Sequence, residues 1–260
     1  MPALPLAHSV LGDGPPVLVL HGLLGQGRNW AGIARQLARQ YRIFLVDLRN
    51  HGSSPHDAEM TYAAMAADVA RLIDEAGLER PSLIGHSMGG KVAMTLALEA
   101  EVPLQRLAVI DIAPVPYPSS AFGRYLDAML AIDVAALRRR AEVDAALAAA
   151  VPDAAVRAFL TMNIGQRGDQ LAWTADLTSL RRALPEITGF PRALLQRRSE
   201  LPALFLRGGR SPYVPDEHLP QIRGLFAEAS IRTVEGAGHW VHAEAPDATV
   251  TALLEFLSTP

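Results

Sequence analysis

Short uninterrupted runs of apolar residues recur along the chain, and most of them end at Gly, Asp or His. Apolar runs of this length, without polar alternation, are typical of strands that are buried on both faces of a parallel sheet. We therefore predict strands over residues 17–20, 43–46, 82–84, 107–110, 203–206 and 231–234.

Between these runs, apolar residues recur at the three- and four-residue spacing of one helix face. The clearest stripe consists of Tyr62, Met65, Val69, Leu72 and Ile73. Gly77 follows this stripe as a C-terminal cap. Strands that alternate with helices predict an α/β protein with a mostly parallel central sheet and helices on both of its faces.

The alternation stops between residue 113 and about residue 201. Three prolines lead into helical patterns over 122–150, 154–164 and 170–184, and no strand candidate lies among them. We predict a helical lid over the carboxyl edge of the sheet, inserted after the sixth strand; packing on another face of the sheet is the alternative. The predicted division is a core of residues 1–113 and 202–260 and a lid of residues 114–201.

Composition narrows the classes of function. The chain has 260 residues, half of them hydrophobic, which is enough for one large α/β domain with a substantial core. The net charge is −3 and the charges are scattered without a basic stripe, so we expect no nucleic-acid partner. The absence of cysteine excludes disulfides, thiolate metal ligands and a cysteine nucleophile.

The N-terminal residues show no basic segment followed by an apolar stretch, and nowhere do about eighteen uncharged apolar residues follow one another. We therefore expect a cytoplasmic protein without stable membrane association. The sequence indicates nothing about the oligomeric state.

The stretch Gly85-His86-Ser87-Met88-Gly89 matches the pattern G-x-S-x-G. Chance produces such a match in roughly one chain in ten of this length, so its surroundings decide. The pattern follows a predicted strand and precedes a helical segment, which is the context of a strained strand-to-helix turn that exposes a serine hydroxyl. We therefore predict that Ser87 is a nucleophile.

A serine nucleophile requires a base within hydrogen-bond distance and a group that orients the base. Among eight histidines, His239 follows the last predicted strand in a glycine-rich loop at the carboxyl edge of the sheet, where Ser87 also lies. We predict His239 as the base. His86 and His242 are the alternatives, and we expect packing roles for both.

Two acidic residues compete for the orienting role. Asp111 ends the strand that follows the serine, so we expect it beside Ser87 at the same edge. The loop after the next strand is a commoner position for such an acid, but Ser211 stands there and Asp216 comes further on. We favour Asp111, and Asp216 is the alternative, although a cap of the following helix explains it more readily.

An oxyanion requires at least two N–H donors aimed at the developing charge. One candidate is the amide of Met88, directly after the nucleophile. The other is the amide of Leu23, in the loop His21-Gly22-Leu23-Leu24-Gly25 after the first predicted strand. We expect His21 to hold this loop rather than to take part in chemistry.

The order of these motifs resembles that of the α/β-hydrolase family over nearly the whole chain. The shared elements are His21-Gly22, residues 47–54, the serine turn and Gly238-His239-Trp240. Asp111 within residues 109–115, together with residues 209–214 and 239–244, is similar to the YbfF-type esterases, in which the acid follows the sixth strand. The resemblance implies a Ser–Asp–His triad in that chain order, and it implies that Arg49 and His51 brace the serine turn.

The resemblance also implies two-step hydrolysis of carboxylic esters or thioesters of small to medium acyl chains through an acyl-serine, without a metal or organic cofactor. Acyl-CoA thioesterase, perhydrolase, acyltransferase or carbon–carbon bond hydrolase activity on the same triad is the alternative. Serine at position 87 argues against dehalogenase and epoxide hydrolase chemistry, whose enzymes use aspartate there. From another class, the alternative is a ligand-binding module without turnover.

The lid and the loops near the triad supply candidate substrate-binding residues. These are Leu24, Tyr125, Met129, Phe159, Met162, Trp173, Tyr213 and Trp240. The lid residues among them are explained as readily by the packing of the lid itself. Candidates for binding acyl-CoA phosphates are Arg138, Arg139, Arg140, Arg181 and Arg182, with solvated helix faces as the simpler explanation.

Overall fold

The structure, a computed structural model, describes residues 3–259. Residues 1, 2 and 260 of the predicted core lie outside the described residues. The strands are β1 (His8–Leu11), β2 (Pro16–Leu20), β3 (Arg42–Val46), β4 (Ser82–His86), β5 (Leu107–Ile110), β6 (Ile164–Arg167), β7 (Gln170–Trp173), β8 (Ala203–Gly208) and β9 (Ala229–Val234).

The helices alternate with the strands of the central sheet and are denser in the insertion. The α-helices are α1 (Ala31–Leu37), α2 (Tyr62–Glu75), α3 (Met88–Glu99), α4 (Ser120–Leu130), α5 (Arg140–Leu147), α6 (Ala154–Thr161), α7 (Leu177–Arg182), α8 (Leu184–Thr188), α9 (Leu219–Leu225), α10 (Val241–Glu244) and α11 (Pro246–Ser258). Short 3-10 turns lie at Gly27–Trp30, Val134–Ala136, Arg192–Gln196 and Asp216–His218.

Seven strands form the central sheet in the order β1-β3-β2-β4-β5-β8-β9. Every neighbouring pair is parallel except β1 and β3. All six predicted strands are confirmed, with ends extended by up to two residues. The prediction missed β1, because this strand is a largely exposed edge that carries polar residues and no apolar run.

The prediction that all strands are buried on both faces is wrong for β9. Its exposed and half-buried positions alternate, because it forms the other edge of the sheet. In the inner strands, alternate side chains enter two separate cores. One core lies between the sheet and helices α1 and α11, and the other lies under α2 and α3.

Helix α2 has the predicted apolar stripe on its buried face. Thr61 caps its first turn, since its side chain accepts a hydrogen bond from the amide of Ala64. The helix ends before Gly77, whose φ of +60° is the left-handed conformation that glycine adopts without strain. The sequence prediction for this element is confirmed.

The insertion differs from its prediction in two respects. Where three helices were expected, five shorter helices, α4 to α8, and a two-stranded hairpin of β6 and β7 lie among residues 114–201. Gly168, with a φ of +60°, turns the hairpin, so Gln170–Trp173 is a strand and the helix predicted over 170–184 is wrong at its start. Leu171 and Trp173 alternate with polar or small neighbours, which is the strand signal that the helical interpretation overlooked.

The insertion follows β5, the fifth strand of the described chain and not the sixth, because only β1 to β4 precede it. We refer to residues 114–201 as the lid. Its two ends meet, since the amide of Tyr117 donates to the carbonyl of Thr188 (2.9 Å). Phe122 and Phe159 from the lid line the space beside Ser87, at the carboxyl ends of the strands.

Among the helices of residues 3–259, none has both the length and the apolar character needed to span a bilayer.

Candidate active site

Ser87 lies in a tight turn between β4 and α3, with φ of 52° and ψ of −118°. The glycines around it allow close backbone approach. A Cβ on Gly85 would lie 2.3 Å from the carbonyl oxygen of Gly89, and a Cβ on Gly89 would lie 2.3 Å from that of Leu20. The motif therefore requires glycine because strand, turn and helix pack backbone against backbone, and Ser87 accepts the strained conformation.

The structure brings Ser87, His239 and Asp111 into one hydrogen-bonded chain. The Oγ of Ser87 lies 3.1 Å from Nε2 of His239. On the other side of the ring, Nδ1 of His239 lies 2.7 Å from Oδ2 of Asp111. With Nδ1 donating to the carboxylate, Nε2 is unprotonated and can accept the hydroxyl hydrogen of Ser87.

Asp111 follows β5 and is almost completely buried, with 1% of its surface exposed. Oδ1 accepts the backbone amide of Gly208 at 2.9 Å. Oδ2 accepts the hydroxyl of Ser211 in addition to His239. Ser211 stands where the acid is more commonly found, and its hydroxyl donates to the carboxylate of Asp111. The sequence prediction did not identify this contact.

Asp216, the alternative acid, lies on the surface. Its carboxylate pairs with the guanidinium of Arg207 at 2.7 Å, and 82% of the side chain is exposed. The prediction that it caps a helix is also wrong, because Asp216 is itself the first residue of the turn that Pro215 precedes. It is not joined to His239.

Tyr213 stacks on the ring of His239, with 3.9 Å between ring centroids and 20° between planes. Its own backbone is held by Tyr117, whose hydroxyl donates to the carbonyl of Tyr213 (2.6 Å) and accepts the amide of Ala113 (2.9 Å). Tyr117 lies near the start of the lid, and Ala113 lies in the segment that joins β5 to the lid. The stacked tyrosine thus fixes the imidazole plane.

Two backbone amides beside Ser87 are free. Within residues 3–259, neither the amide of Leu23 nor that of Met88 donates a hydrogen bond. The carbonyl of Gly22, in the same peptide unit as the Leu23 amide, accepts Gly25 N at 2.9 Å and His21 Nδ1 at 2.8 Å. Because a trans peptide directs its carbonyl and amide in opposite directions, these two bonds fix where the Leu23 amide points.

Two neutral histidines hold the loop of residues 21–26, which we call the oxyanion loop after its predicted role. His21 accepts the amide of Leu48 at Nε2 (3.0 Å), and His51 accepts the amide of Leu24 at Nε2 (3.1 Å). Burial lowers the pKa of His21 to about 4, against the smaller opposing effect of its bond to Gly22. Burial, and after it the nearby His21, lowers the pKa of His51 to about 3.

The segment 47–54 was expected to brace the serine turn, and the structure places its bonds on the oxyanion loop and on the residue that follows it. His51 binds Leu24, and the carboxylate of Asp47 accepts the amide of Gly27 (2.8 Å). Arg49 makes a buried ion pair with Asp68 (2.6 Å) that fixes the segment to α2. The segment 47–54 therefore holds the loop beside Ser87 rather than the serine turn itself.

The other two candidate bases, His86 and His242, make contacts with groups other than the Ser87 hydroxyl. His86 donates from Nε2 to the backbone carbonyl of His239 at 2.9 Å, so it supports the loop of the base. Burial holds the pKa of His86 well below its ordinary value. His242 stacks on Trp30 with 4.2 Å between centroids, and burial lowers its pKa to about 3.

Two cavities meet at Ser87. The one beside the base, which we call the histidine-side cavity, has about 320 Å³ of space including its open mouth. Its walls are His21, Gly22, Leu23, Gly25, Asn29, Trp30, His86, Phe122, Phe159, His239, Trp240 and His242. The other, the amide-side cavity, has about 370 Å³ of space, again including its open mouth. Its walls are Leu23, Tyr62, Met88, Lys91, Ile112, Tyr117, Pro118, Phe122, Ile187, Thr188 and Tyr213.

The predicted substrate-binding residues divide into two groups. Phe159 and Trp240 line the histidine-side cavity, Tyr213 lines the amide-side cavity, and Met162 lines a wider groove outside Trp240. The other four, which line neither cavity beside Ser87, are Leu24, Tyr125, Met129 and Trp173.

Each of these four has another position. Met129 is fully buried in the lid, Tyr125 packs behind Phe122, and Trp173 lies in the hairpin near Gly52. Leu24 is buried with both of its peptide groups bound. Periodicity identifies them as apolar but does not show which side of a short helix or loop faces the cavity.

Lys91 is the chain's only lysine, and its side chain reaches the floor of the amide-side cavity. Its ammonium donates to the carbonyls of Val115 and Thr188, both at 2.9 Å, and to that of Gly189. It also lies 4.8 Å from the ring centroid of Tyr117. Burial lowers its pKa to about 7. The sequence prediction gave Lys91 no role.

Among residues 3–259, no three His, Asp or Glu side chains are grouped so that they can hold a metal ion.

The sequence matches the model of a family described as having the alpha/beta hydrolase fold, over residues 15–246. It is 39% identical to the sn-1-specific diacylglycerol lipase ABHD11 of Mus musculus, covering 98% of this chain and 86% of that protein. It is 35% identical to the esterase YbfF of Escherichia coli, covering 94% and 93% of the two chains. Among solved structures, a marine microorganism esterase superposes with a TM-score of 0.94 at 34% identity, covering 98% of this chain and all of the other.

Proposed function

This chain belongs to the α/β-hydrolase family and is a serine esterase, and we propose that it forms its acyl-enzyme on Ser87 with His239 as base and Asp111 as orienting acid. The observation that carries the assignment is the continuous chain of hydrogen bonds from Ser87 Oγ through the imidazole to the buried carboxylate, at 3.1 and 2.7 Å. Its substrate is a small-molecule ester.

The chemistry follows from this arrangement in two steps. Ser87 Oγ attacks the acyl carbonyl while Nε2 of His239 takes its proton, and the same proton then passes to the departing alkoxide. A water molecule activated by His239 attacks the acyl-serine, and Ser87 regains the proton as the acid leaves. Asp111 keeps Nδ1 protonated and stabilises the imidazolium that forms in each step.

The amides of Leu23 and Met88 are proposed as the oxyanion donors. Both are free of hydrogen bonds within the described residues, and both belong to residues that line the amide-side cavity next to Ser87. Amides held in place before the reaction stabilise the tetrahedral oxyanion without reorganising, which is the largest single contribution in many acyl-transfer enzymes.

The two cavities divide the substrate between them. The leaving group must receive its proton from His239, so we assign it to the histidine-side cavity that His239 lines. The acyl chain then occupies the amide-side cavity. Lys91, Tyr62 and Ile187 are among the residues that line that cavity, and its limited space supports a preference for short to medium acyl chains.

The test is a series of p-nitrophenyl esters of increasing chain length. Ile187→Ala removes a wall residue and should shift the optimum toward longer chains, because it extends the amide-side cavity. Leu225→Ala is the matched control, since Leu225 is as well buried but lies in α9 and not in the cavity wall. An unchanged optimum, or an equal shift in both variants, would refute the assignment of the acyl side. Ser87→Ala should abolish hydrolysis of every ester.

Hydrolysis of acyl-CoA thioesters and acyl transfer to an alcohol use the same acyl-serine and stay predictions of the sequence. Four of the five arginines considered for CoA phosphates have side-chain partners within the fold. Arg139 pairs with Glu142 and Arg181 with Asp127, while Arg140 and Arg182 donate to backbone carbonyls. These contacts support the simpler explanation of solvated, structurally engaged side chains.

We further propose that residues 114–201 act as a lid domain on a core formed by the rest of the chain. The supporting observation is that the insertion supplies Phe122 to both cavities. The expected cytoplasmic location, and the absence of nucleic-acid and stable membrane partners, stay predictions.

A further inference from the structure

We infer that Asn163, in the lid, is a positioning residue for the oxyanion loop, so that the lid sets the geometry of the oxyanion site and not only the walls of the cavities. This inference rests on the proposed role of the Leu23 amide. It concerns a residue that contacts neither Ser87 nor the cavities beside it.

Asn163 follows α6 and precedes β6, and none of its surface is exposed. Its amide nitrogen donates to the carbonyl of Leu24 across the lid–core boundary at 2.8 Å, and to Leu160 within the lid at 3.2 Å. Its side-chain oxygen accepts Nε2 of Gln26 at 3.3 Å. Every polar atom of the side chain is therefore engaged, and two of its three bonds go to the oxyanion loop.

Leu24 is the residue that this contact fixes. Its φ of +60° is a left-handed conformation that costs free energy for a residue with a branched side chain. His51 binds its amide at 3.1 Å and Asn163 binds its carbonyl at 2.8 Å, so both flanking peptide groups are held. Strained backbone persists only where surrounding contacts hold it in place. Here one of the two contacts, that of Asn163, comes from the lid.

The effect on chemistry passes through one peptide. Leu24 directly follows Leu23, whose amide is the proposed donor. The carbonyl of the same peptide unit belongs to Gly22, and it accepts a hydrogen bond from the amide of Gly25 at 2.9 Å. If Leu24 relaxes from its left-handed conformation, Gly25 moves, and the donor peptide loses one of its two restraints. A donor displaced by about 1 Å loses much of its stabilisation of the oxyanion.

A second lid contact reinforces the same loop without binding Leu24. Nε2 of Gln26 also lies within hydrogen-bond distance of the carbonyl of Met162 and the hydroxyl of Thr174, at 3.2 and 3.3 Å. The hydroxyl of Thr174 in turn donates to the carbonyl of Asn163 at 3.1 Å. The loop end that follows Leu24 is thus held by residues on both sides of the lid hairpin.

The test uses Asn163→Asp, which keeps the shape of the side chain and its acceptor for Gln26 but removes the donor to Leu24. The expected result is a fall in kcat of about 10- to 100-fold with KM changed by less than about threefold, because the lost stabilisation belongs to the transition state. The matched control is Arg182→Ala, which removes another lid–core hydrogen bond, to the carbonyl of Ala58, remote from the loop. This control should stay within about twofold of the parent.

A second readout separates positioning from loss of fold. The inhibition constant of an alkyl boronic acid, whose adduct on serine resembles the tetrahedral intermediate, should rise by the same factor as kcat/KM falls. All rates are normalised to the fraction of molecules that a fluorophosphonate labels, so unfolded protein does not count. Unchanged kcat in Asn163→Asp, or a fall in kcat with unchanged boronate affinity, would overturn the inference.

The outcomes also separate this inference from the proposed function. If the parent protein is labelled at Ser87 and Asn163→Asp behaves like the parent, only the role of Asn163 fails. If the parent hydrolyses esters but carries no label at Ser87, the proposed nucleophile fails first.

Discussion

At the scale of single residues, the proposed acid of the triad shows how the position of a carboxylate can change while its contact with the imidazole is kept. Asp111 reaches His239 from the end of β5, and Ser211 donates to it from the loop after β8. A buried carboxylate needs hydrogen-bond donors to offset its loss of solvation, and Ser211, Gly208 and His239 supply three. With the carboxylate after β5 and a serine after β8, the site still carries one negative charge, and that charge still holds the imidazole in one orientation.

Asp111→Asn should lower kcat by about 10⁴, because the amide favours the wrong imidazole tautomer and carries no charge to stabilise the imidazolium. Steady-state kinetics on a p-nitrophenyl ester would measure this, with circular dichroism as the check of fold. Asp216→Asn is the control and should keep normal turnover, since Asp216 is exposed and pairs with Arg207 rather than with His239. The reverse pattern would make Asp216 the acid.

The buried histidines predict a pH dependence of stability. His51 has a pKa of about 3 when folded, below its ordinary value near 6.5, so it must be neutral in the fold. Its contribution is fully present above pH 6.5 and is lost as the pH falls toward 3, at about 1.4 kcal/mol per pH unit. His21 adds a similar slope down to about pH 4.

Urea unfolding between pH 4.5 and 7 checks this expectation. The variant His51→Gln keeps an acceptor for the amide of Leu24 but does not titrate. Its free energy of unfolding should fall less steeply with decreasing pH than that of the parent, by about 1.4 kcal/mol per unit. Equal slopes for the two proteins would mean that His51 is not held neutral.

At the scale of elements, the serine turn depends on glycine for reasons of space. Gly89→Ala should destabilise the fold by about 1–3 kcal/mol and reduce activity, because its Cβ would meet the carbonyl oxygens of Leu20 and His21 at 2.3 and 2.5 Å. Gly224→Ala is the matched control, since Gly224 lies in α9 with no atom near its Cβ position. It should leave stability unchanged or raise it by up to about 1 kcal/mol. Equal effects of the two changes in thermal unfolding would contradict this explanation.

The elements also show where sequence patterns suffice. The buried strands and α2 were predictable because an apolar run identifies a buried strand and an apolar stripe at helical spacing identifies a helix that packs on the sheet. The prediction missed β1 because an exposed edge strand carries no such run. In the lid, both the short helices and the hairpin carry apolar residues, so apolar content alone does not distinguish them. Leu171 and Trp173 were therefore interpreted as one side of a helix.

The same reasoning explains which site residues could be predicted. Ser87 and Asp111 directly follow β4 and β5, and His239 lies in the loop after β9, so the topology of a parallel sheet brings them to one edge. Lys91, Ser211 and Asn163 act through contacts between segments far apart in the chain. No local pattern in the sequence marks such contacts.

At the scale of the whole molecule, Lys91 connects the core to both ends of the lid. It lies on α3, one turn after Ser87, and binds Val115 at the start of the lid and Thr188 and Gly189 near its end. Every other lysine-or-arginine position of the chain is an arginine. A compact ammonium with three donors suits three converging carbonyls, whereas a planar guanidinium does not.

Lys91→Met should lower the free energy of unfolding by about 1–3 kcal/mol, because buried carbonyls lose their donor although the new side chain fills similar space. Urea unfolding measures the change. Arg182→Ala, which removes an exposed lid–core contact, should change it by less than about 0.5 kcal/mol. A Lys91→Met protein as stable as the parent would show that the ammonium does not join lid and core.

The central claim is that Ser87, activated by His239 and Asp111, carries the acyl group. The most direct measurement is reaction of the folded protein with a short-chain alkyl fluorophosphonate, followed by peptide mapping by mass spectrometry. We predict one adduct per molecule, on Ser87, that is absent when the protein is unfolded in urea and forms far more slowly in His239→Gln. An adduct on another residue, or none while ester hydrolysis continues, would contradict the claim.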